Sequence, residues 1–374
     1  MKRIIAGLLA VICLLLAGCG GWTDGSYVYT TPHHEQIKQN DTEEVTAANY
    51  QDLRNVLISL IEDGTEKAIV YVQNYNQEKL EPDLRSVIHT ATTGNPIGAY
   101  AVEKIVYEMG SSGKPAVAVT ITYRHGRSEI RRIKEYTAMT DVKDAVKAAL
   151  DSCSASLVLR VSSYVQIDFS QLVEDYMLEH PESVMELPEV TVNAYPEFGY
   201  DRVLEMKFTY QTSRDDLRNM QNQVQPVFAS AVLYVSGDGE DHGKLAQLYS
   251  FLMERFDYHY ETSITPTYSL LRHGVGDCKA FAVVYAAMCR EAGLECYVVS
   301  GTRAGEAWYW NIVKDGENYF HVDLLQSAQT GEFLELVDTE MEGYVWDYSA
   351  YPVCDQKPEE VTEPLTIEDG ENSD

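Results

Sequence analysis

The chain has 374 residues and carries 58 acidic against 29 basic side chains, which gives a formal net charge of −29. A charge this negative disfavours nucleic acid and anionic lipid surfaces as electrostatic partners. It is more typical of a protein kept soluble in an extracytoplasmic setting. The length suggests two or three folded domains.

The first 18 residues predict a secretory signal peptide. Lys2 and Arg3 supply a positive start, and the apolar run at 4–17 is too short to cross a bilayer as a helix. The tetrapeptide LAGC, which ends at Cys19, resembles the bacterial lipobox, in which cleavage leaves the cysteine as a lipidated N-terminus. The resemblance implies a lipid anchor at Cys19 that holds the protein to a membrane outside the cytoplasm. A plain signal peptide that happens to end in cysteine is the alternative.

Two polar segments flank the folded part of the chain. Residues 19–48 have no hydrophobic periodicity and predict a flexible tether. Residues 352–374 predict a disordered acidic tail, since the part from Asp355 to Asp374 holds eight acidic residues and almost no aliphatic side chains.

An internal sequence repeat predicts two small α+β units, roughly at 50–135 and 142–225, within a repeat region at 49–235. TYRHGRSEIRRI at 122–133 is answered by TYQTSRDDLRNM at 209–220. Each unit is expected to run helix, strand, short helix, strand, with the alternation of half-buried sheet. Chance likeness between amphipathic segments is the alternative. Neither unit holds a polar constellation that suggests chemistry.

The C-terminal part, at 244–351, follows the turn-rich segment VSGDGEDHG and has a different pattern. Leucines at helical spacing in KLAQLYSFLMERFDYHY predict one helix, and Asp277 can cap a second helix that ends before Gly293. Three predicted strands follow, CYVVSG, WYWNIV and NYFHVDLL. A helix followed by antiparallel strands is typical of an α+β core.

Cys278 is expected in the first turn of the second helix. A helix N-terminus lowers the pKa of a thiol, and its free N–H groups can stabilise an oxyanion. This placement is necessary for such a nucleophile but not sufficient. On the residues alone, a buried structural cysteine is an equal alternative.

The other cysteines predict neither a disulfide framework nor a metal site. Of the seven in the chain, Cys13 lies in the signal peptide and Cys19 at the lipidation site. An odd number of remaining cysteines at irregular spacing, without metal-ligand motifs, leaves at least one free thiol. We expect no metal and no cofactor. These five are Cys153, Cys278, Cys289, Cys296 and Cys354.

Residues 244 to about 325 resemble the transglutaminase-like core, a papain-like fold used by acyltransferases, peptidases and related bacterial exported proteins. The matching motifs are, in order, FDYHY, GVGDC ending at Cys278, AGLECYVVSG, WN at 310–311 and YFHVD ending at Asp323. In that family a Cys, a His and an Asp form the catalytic triad. The resemblance implies that Cys278 holds the place of the nucleophile and Asp323 that of the third member.

The histidine of the family motif HAWN is missing, because the four residues that end at Asn311 are WYWN and Trp308 stands in its place. An indole N–H donates a hydrogen bond but has no basic lone pair, so it can neither deprotonate a thiol nor protonate a leaving amine. Hydrolases that lose one triad member keep a rate enhancement of only about 10³ to 10⁴ over the uncatalysed reaction in water. Turnover is expected to be marginal.

Two other histidines are candidate substitutes for the base. His321 lies two residues before Asp323 on the same predicted strand, although active family members carry the same HVD sequence. His273 lies five residues before Cys278 and could approach it from the loop.

Two functions of different class follow. In the first, a lipid-anchored extracytoplasmic protein has a degenerate transglutaminase-like domain that binds a peptide, glycan or protein of the cell envelope. Trp308, Tyr309, Trp310 and Tyr319 would give the cleft an aromatic lining, although core packing is the better interpretation for Trp310 and Tyr319. In the second, Cys278 serves an active acyltransferase or peptidase with an unconventional base.

Overall fold

The computed structural model describes residues 42–110, 114–235 and 240–357. Helices and sheets are both present, which confirms the predicted α+β class. Within these three ranges no helix combines the length and apolarity that crossing a bilayer would need. The predicted signal peptide and Cys19 lie outside the described residues.

The first unit is a four-stranded sheet with strand order β1-β2-β4-β3. The β1–β2 pair is parallel, and the β2–β4 and β3–β4 pairs are antiparallel. Its strands are β1 (Thr42–Thr46), β2 (Lys67–Tyr71), β3 (Val102–Met109) and β4 (Ala116–Tyr123). Its helices are α1 (Tyr50–Glu62), α2 (Gln77–Thr93), α3 (Pro96–Ala101) and α4 (Arg127–Ile130).

The second unit repeats this arrangement, with strand order β5-β6-β8-β7 and the same sequence of one parallel and two antiparallel pairs. Its strands are β5 (Lys134–Tyr136), β6 (Ser156–Val161), β7 (Glu189–Tyr195) and β8 (Arg202–Thr209). Its helices are α5 (Met139–Asp151), α6 (Phe169–Glu179) and α7 (Arg214–Ala229).

Local sequence explains these elements. In β4, Val117, Val119 and Ile121 are buried and alternate with more exposed residues, as expected for a strand with one face on a core. In α1, the side chain of Asn49 caps the helix by accepting from the Asp52 N–H. The apolar stripe of α1 packs on the same core.

The predicted bounds of the units need correction. The segment DRVLEMKFTY forms β8, whose counterpart in the first sheet is β4. Residues 134–136, placed in the first unit by the sequence, pair with β6 of the second. Residues 42–46, predicted as tether, form β1 beside β2. Edge strands this short give too little periodicity to be recognised in sequence.

The C-terminal part has a four-stranded sheet of order β13-β12-β11-β14 and a two-stranded parallel pair, β9 with β10. The strands are β9 (Asp257–Tyr258), β10 (Val275–Gly276), β11 (Cys296–Arg303), β12 (Glu306–Asp315), β13 (Asn318–Val322) and β14 (Tyr344–Val345). The helices are α8 (Asp241–Arg255), α9 (Pro266–Tyr268), α10 (Cys278–Glu291) and α11 (Leu324–Thr330). A π-helical turn, Ser269–His273, precedes β10.

The predicted division near residue 235 cuts through one hydrophobic core. Leu217, Val224 and Phe228 of α7 are buried in the same cluster as Leu248 of α8 and Phe281 of α10. The repeat region and the C-terminal part are therefore packed together, because α7 turns its apolar face to α10. The sequence shows that α7 is amphipathic but not which element covers it.

The predicted tail also begins later than expected. Cys354 is fully buried, and its carbonyl accepts a hydrogen bond of 2.7 Å from the Asp338 N–H. Residues 352–357 thus belong to the folded part, and 358–374 lie outside the described residues. All five cysteines of the described residues are free thiols.

Candidate functional site

Cys278 is the first residue of α10, as the sequence predicts. The Asp277 carboxylate caps the helix by accepting from the Ala280 N–H at 2.9 Å. Gly276 is needed here because a Cβ at this position would come within 2.8 Å of the Ala280 Cβ. Gly274, with φ of 81°, adopts the left-handed conformation that turns the chain into β10. The GVGDC motif is thus the local geometry that presents Cys278.

The Cys278 thiol is partly buried, and its pKa is raised to about 11. Burial is the main cause, and it outweighs the backbone N–H groups of Tyr309 and Lys279, which lower the pKa. The negative charges of Asp277 and Asp323 raise it further. The expectation that the helix N-terminus lowers this pKa is therefore wrong, because desolvation of the thiolate outweighs the N–H groups.

Asp323 accepts hydrogen bonds from five donors. Its Oδ1 caps α11 through the N–H groups of Leu325 and Gln326, at 3.0 and 3.2 Å. Its Oδ2 accepts from the Tyr344 hydroxyl at 2.7 Å and from Arg303 at 3.3 Å. The side chain is only 2% exposed, so these donors replace the water it has lost.

The fifth donor to Asp323 is Trp308, whose Nε1–H lies 2.8 Å from Oδ2. Trp308 packs against the same cluster as Cys278. The indole thus makes the hydrogen bond to Asp323 that an imidazole at this position would make. It offers no lone pair to the thiol in return.

His321 is not placed to act on Cys278. It is fully buried, and its Nδ1 accepts from Trp310 Nε1 at 2.9 Å while its Nε2 lies 2.8 Å from Asp338. Burial lowers its pKa, although Asp338 opposes this shift. Its neighbours on β13, Phe320 and Val322, belong to the core around α10, whereas His321 stacks edge-on with Trp346. Strand alternation sends the ring to the face away from α10.

His273 also fails to reach the thiol. It ends the π-helical turn, is exposed and has its ring edge-on to Tyr268, with centroids 5.3 Å apart. Across 42–110, 114–235 and 240–357, no hydrogen bond joins Cys278 to a histidine.

The WN pair is structural. Trp310 is 1% exposed and packs at right angles to Tyr344 and Trp346. Asn311 is fully buried and donates to the Ala282 carbonyl at 2.9 Å, which ties the sheet to α10. Tyr319 bonds to Glu295 at the far end of the hairpin and does not line the site.

Tyr258 lies close to the site and was not predicted as a site residue from the sequence. Helix α8 ends at Arg255, so FDYHY is not helical and Tyr258 on β9 lies beside β10, with its ring centroid 6.3 Å from Trp308. Burial raises the Tyr258 pKa, and the charges of Cys278, Asp277 and Asp323 add to this. Only the aromatic run hinted at this tyrosine.

Arg303 and Tyr344 have no sequence signal that could have found them. The Arg303 guanidinium lies over the Trp308 ring at 5.2 Å and over the Tyr344 ring at 5.3 Å. Together they surround Asp323 from β11 and β14, two strands that pair antiparallel. This pairing could not be read from the sequence because β14 has only two residues.

Among the residues that the structure describes, two groups of side chains could hold a cation, and neither contains Cys278 or Asp323. One is His321, Asp338 and Cys354; the other is His242, Asp315 and Glu335. The expected absence of a metal site rested on cysteine spacing, which does not report on ligands brought together by folding.

Residues 230–324 match the family model of the Transglutaminase-like superfamily. The chain thus carries a transglutaminase-like domain, as its motifs predict. The comparison with curated proteins gives no match.

Two solved structures that match this chain differ from it widely in sequence and in backbone superposition. A TGase crystal structure is 10% identical, covers 51% of this chain and 58% of its own, and has a TM-score of 0.25. The periplasmic domain of TgpA from Pseudomonas aeruginosa is 16% identical, covers 38% of this chain and 64% of its own, and has a TM-score of 0.23. In both cases the match spans less than two thirds of the solved structure.

Proposed function

We propose that this is a lipid-anchored extracytoplasmic protein whose transglutaminase-like domain has lost its general base and binds a component of the cell envelope. The ligand would be a peptide, a glycan or a partner protein held at the old cleft. The anchor is the predicted lipid on Cys19, which follows the LAGC sequence.

The observation that carries the proposal is the 2.8 Å hydrogen bond from Trp308 Nε1 to Asp323. It fills the position from which a histidine would connect the carboxylate to the thiol. Acyl transfer needs a group that takes the thiol proton and later gives a proton to the leaving amine. Trp308 can do neither.

The other polar groups nearby do not supply this group. Tyr258 has a raised pKa, so its phenol stays protonated at neutral pH. The guanidinium of Arg303 has no lone pair to accept a proton. A thiol pKa of about 11 leaves roughly one Cys278 in ten thousand as thiolate at neutral pH.

The rim of the site suits binding. Tyr258 is 45% exposed, and Trp308 and Tyr309 are partly exposed beside it. Lys279 lies over the Tyr309 ring at 5.1 Å, and Arg303 lies over Trp308. Aromatic rings with adjacent cations bind flat or anionic groups by stacking and by charge, as in many recognition sites.

The alternative is an active cysteine acyltransferase or peptidase with an unconventional base. Two observations favour it: Cys278 retains the helix N-terminus and the N–H donors, and Asp323 retains its position. Such an enzyme would need a base brought by the substrate or by another protein.

One assay separates the two functions. Wild type, Cys278→Ala and Trp308→His are compared for acyl transfer and peptide hydrolysis on isolated envelope proteins. We expect no turnover by wild type. Turnover by wild type that is lost in Cys278→Ala would establish the active enzyme and overturn the binding proposal.

Binding is tested in parallel by sedimentation with purified envelope fractions. We expect Tyr258→Ala and Trp308→Ala to weaken binding about tenfold each, which corresponds to ~1.4 kcal/mol. Tyr200→Ala is the matched control, since Tyr200 is 80% exposed and lies in the repeat region. Equal binding by all three variants would place the ligand elsewhere.

A further inference from the structure

Three potential metal ligands from distant segments meet on the side of the C-terminal part that carries the hairpin between β12 and β13. His242 lies in the first turn of α8, Asp315 ends β12, and Glu335 lies between α11 and β14. One ligand atom from each lies within 4.8 Å of the other two. None of the three takes part in the site around Cys278.

The distances fit a metal ion. His242 Nδ1 is 2.9 Å from Glu335 Oε2 and 3.4 Å from Asp315 Oδ2. Metal bonds of about 2.0 to 2.2 Å to nitrogen and oxygen place neighbouring tetrahedral ligands about 3.3 Å apart. The two distances from His242 lie within about half an ångström of this spacing, and the ligand atoms of Asp315 and Glu335 lie within 4.8 Å of each other.

Glu335 gives an independent reason to expect a ligand. Its side chain is 2% exposed, yet its Oε1 has no hydrogen-bond partner in the part of the chain that the structure describes. An unpaired carboxylate oxygen that has lost its water is costly. A cation between the two carboxylates would remove this cost.

The second group of potential ligands lacks these features. Trp310 donates to Nδ1 of His321, so the proton of the neutral ring is on Nε2 and points to Asp338. A metal could bind Nε2 only if this proton were lost while Nδ1 still accepts from Trp310, which would leave the ring an anion. His242 Nδ1 lies 2.9 Å from Glu335, but the ring proton can move to Nε2 when a metal binds Nδ1, and the 53% exposed side chain leaves a path for the ion and space for water.

We propose that His242, Asp315 and Glu335 bind a divalent first-row transition metal of the Zn²⁺ class. One imidazole and two carboxylates suit such ions, whereas Ca²⁺ prefers oxygen ligands alone. Two carboxylates and a neutral imidazole carry a charge that one divalent ion cancels. The metal would fix the start of α8 to the β12–β13 hairpin. This inference does not rest on the proposed function of Cys278.

The test uses Co²⁺ alone as a spectroscopic probe on the full chain. We expect one Co²⁺ per chain, with visible d–d absorption and without the thiolate charge-transfer band that Cys354 would cause. Glu335→Gln and His242→Ala should each lower the affinity at least tenfold, and the exposed control His273→Ala should leave it unchanged. The unfolding temperature of each variant without metal checks its folding. Because the His242 side chain is exposed, His242→Ala should disturb the fold less than Glu335→Gln.

The metal should also raise the unfolding temperature of wild type, because it binds the folded state. Zn²⁺ alone should compete with Co²⁺ for the site. Absence of saturable binding, a thiolate band, or affinity that either variant leaves intact would overturn the proposal.

Discussion

Trp308 and Asp323 are joined by a hydrogen bond of 2.8 Å from the indole N–H to the carboxylate. The carboxylate keeps a ring N–H donor, so neither its burial nor its capping of α11 is disturbed. The indole offers no proton acceptor to the Cys278 thiol, whose pKa is raised to about 11 because burial outweighs the nearby backbone N–H groups.

The first prediction concerns alkylation of Cys278. The rate with iodoacetamide should rise about tenfold per pH unit from pH 7 to 10, because only the thiolate reacts and the thiol pKa lies near 11. Trp308→His should accelerate alkylation at neutral pH, and the pH profile of the rate should then also show the titration of the new imidazole. Modification is measured on the peptide that contains Cys278, with Cys278→Ser as control. A plateau in wild type below pH 9 would contradict the raised pKa.

The second prediction concerns Tyr344, which donates to Asp323 at 2.7 Å. Tyr344→Phe should lower the free energy of unfolding by about 1.5 to 3 kcal/mol, because it removes a hydrogen bond to a buried charge. Tyr348→Phe is the matched control, since Tyr348 is 60% exposed. Denaturant unfolding of both variants gives the comparison, and equal stability would show that Asp323 does not depend on this donor.

The third prediction concerns His321, whose pKa is lowered by burial. Its unfolded value near 6.5 is higher than its folded value, so stability is full above pH 6.5 and is lost as the pH falls. The loss should reach at most about 1.4 kcal/mol per pH unit. His321→Gln keeps an acceptor for Trp310 and a donor for Asp338 but does not titrate. The free energy of unfolding is measured for both proteins between pH 7.5 and 5, and wild type should lose stability relative to His321→Gln as the pH falls. An identical pH dependence would rule out this titration.

The fourth prediction concerns the shared core of α7 and α10. A protease site inserted between Gly237 and Gly239 should allow cleavage into two fragments that still elute together on gel filtration. Phe228 and Phe281 lie in one buried cluster, so separating the fragments would expose apolar surface on both. Fragments that elute separately, each folded, would support the division at residue 235 that the sequence predicts.

The fifth prediction is lipidation at Cys19. Mass spectrometry of the membrane fraction should find a mature chain that begins at a modified Cys19, and Cys19→Ala should release the protein from that fraction. A soluble wild-type product that is cleaved at another residue would contradict both the proposed lipid anchor and the location proposed from it.

The sequence by itself predicted the class of the C-terminal fold and placed Trp308 two residues before the Trp310–Asn311 pair. The motifs around Cys278 and Asp323 are local, since caps, glycine turns and strand alternation involve residues a few positions apart. Trp308 itself cannot act as a general base in any fold, because an indole has no basic nitrogen. The repeated strand order of the two N-terminal sheets was visible only as an internal sequence repeat, and their short edge strands were missed.

Tertiary structure decided what depends on burial and on contacts between distant segments. The thiol pKa of Cys278 has the opposite shift to the one its helix position indicates, because burial outweighs the local N–H donors. His321 turns away from α10, and Tyr344 reaches Asp323 from 21 residues further along the chain. His242 and Glu335, 93 residues apart, meet only because α8 and the segment after α11 pack together. No local pattern encodes such a meeting, since it is fixed by which faces the packed elements cover.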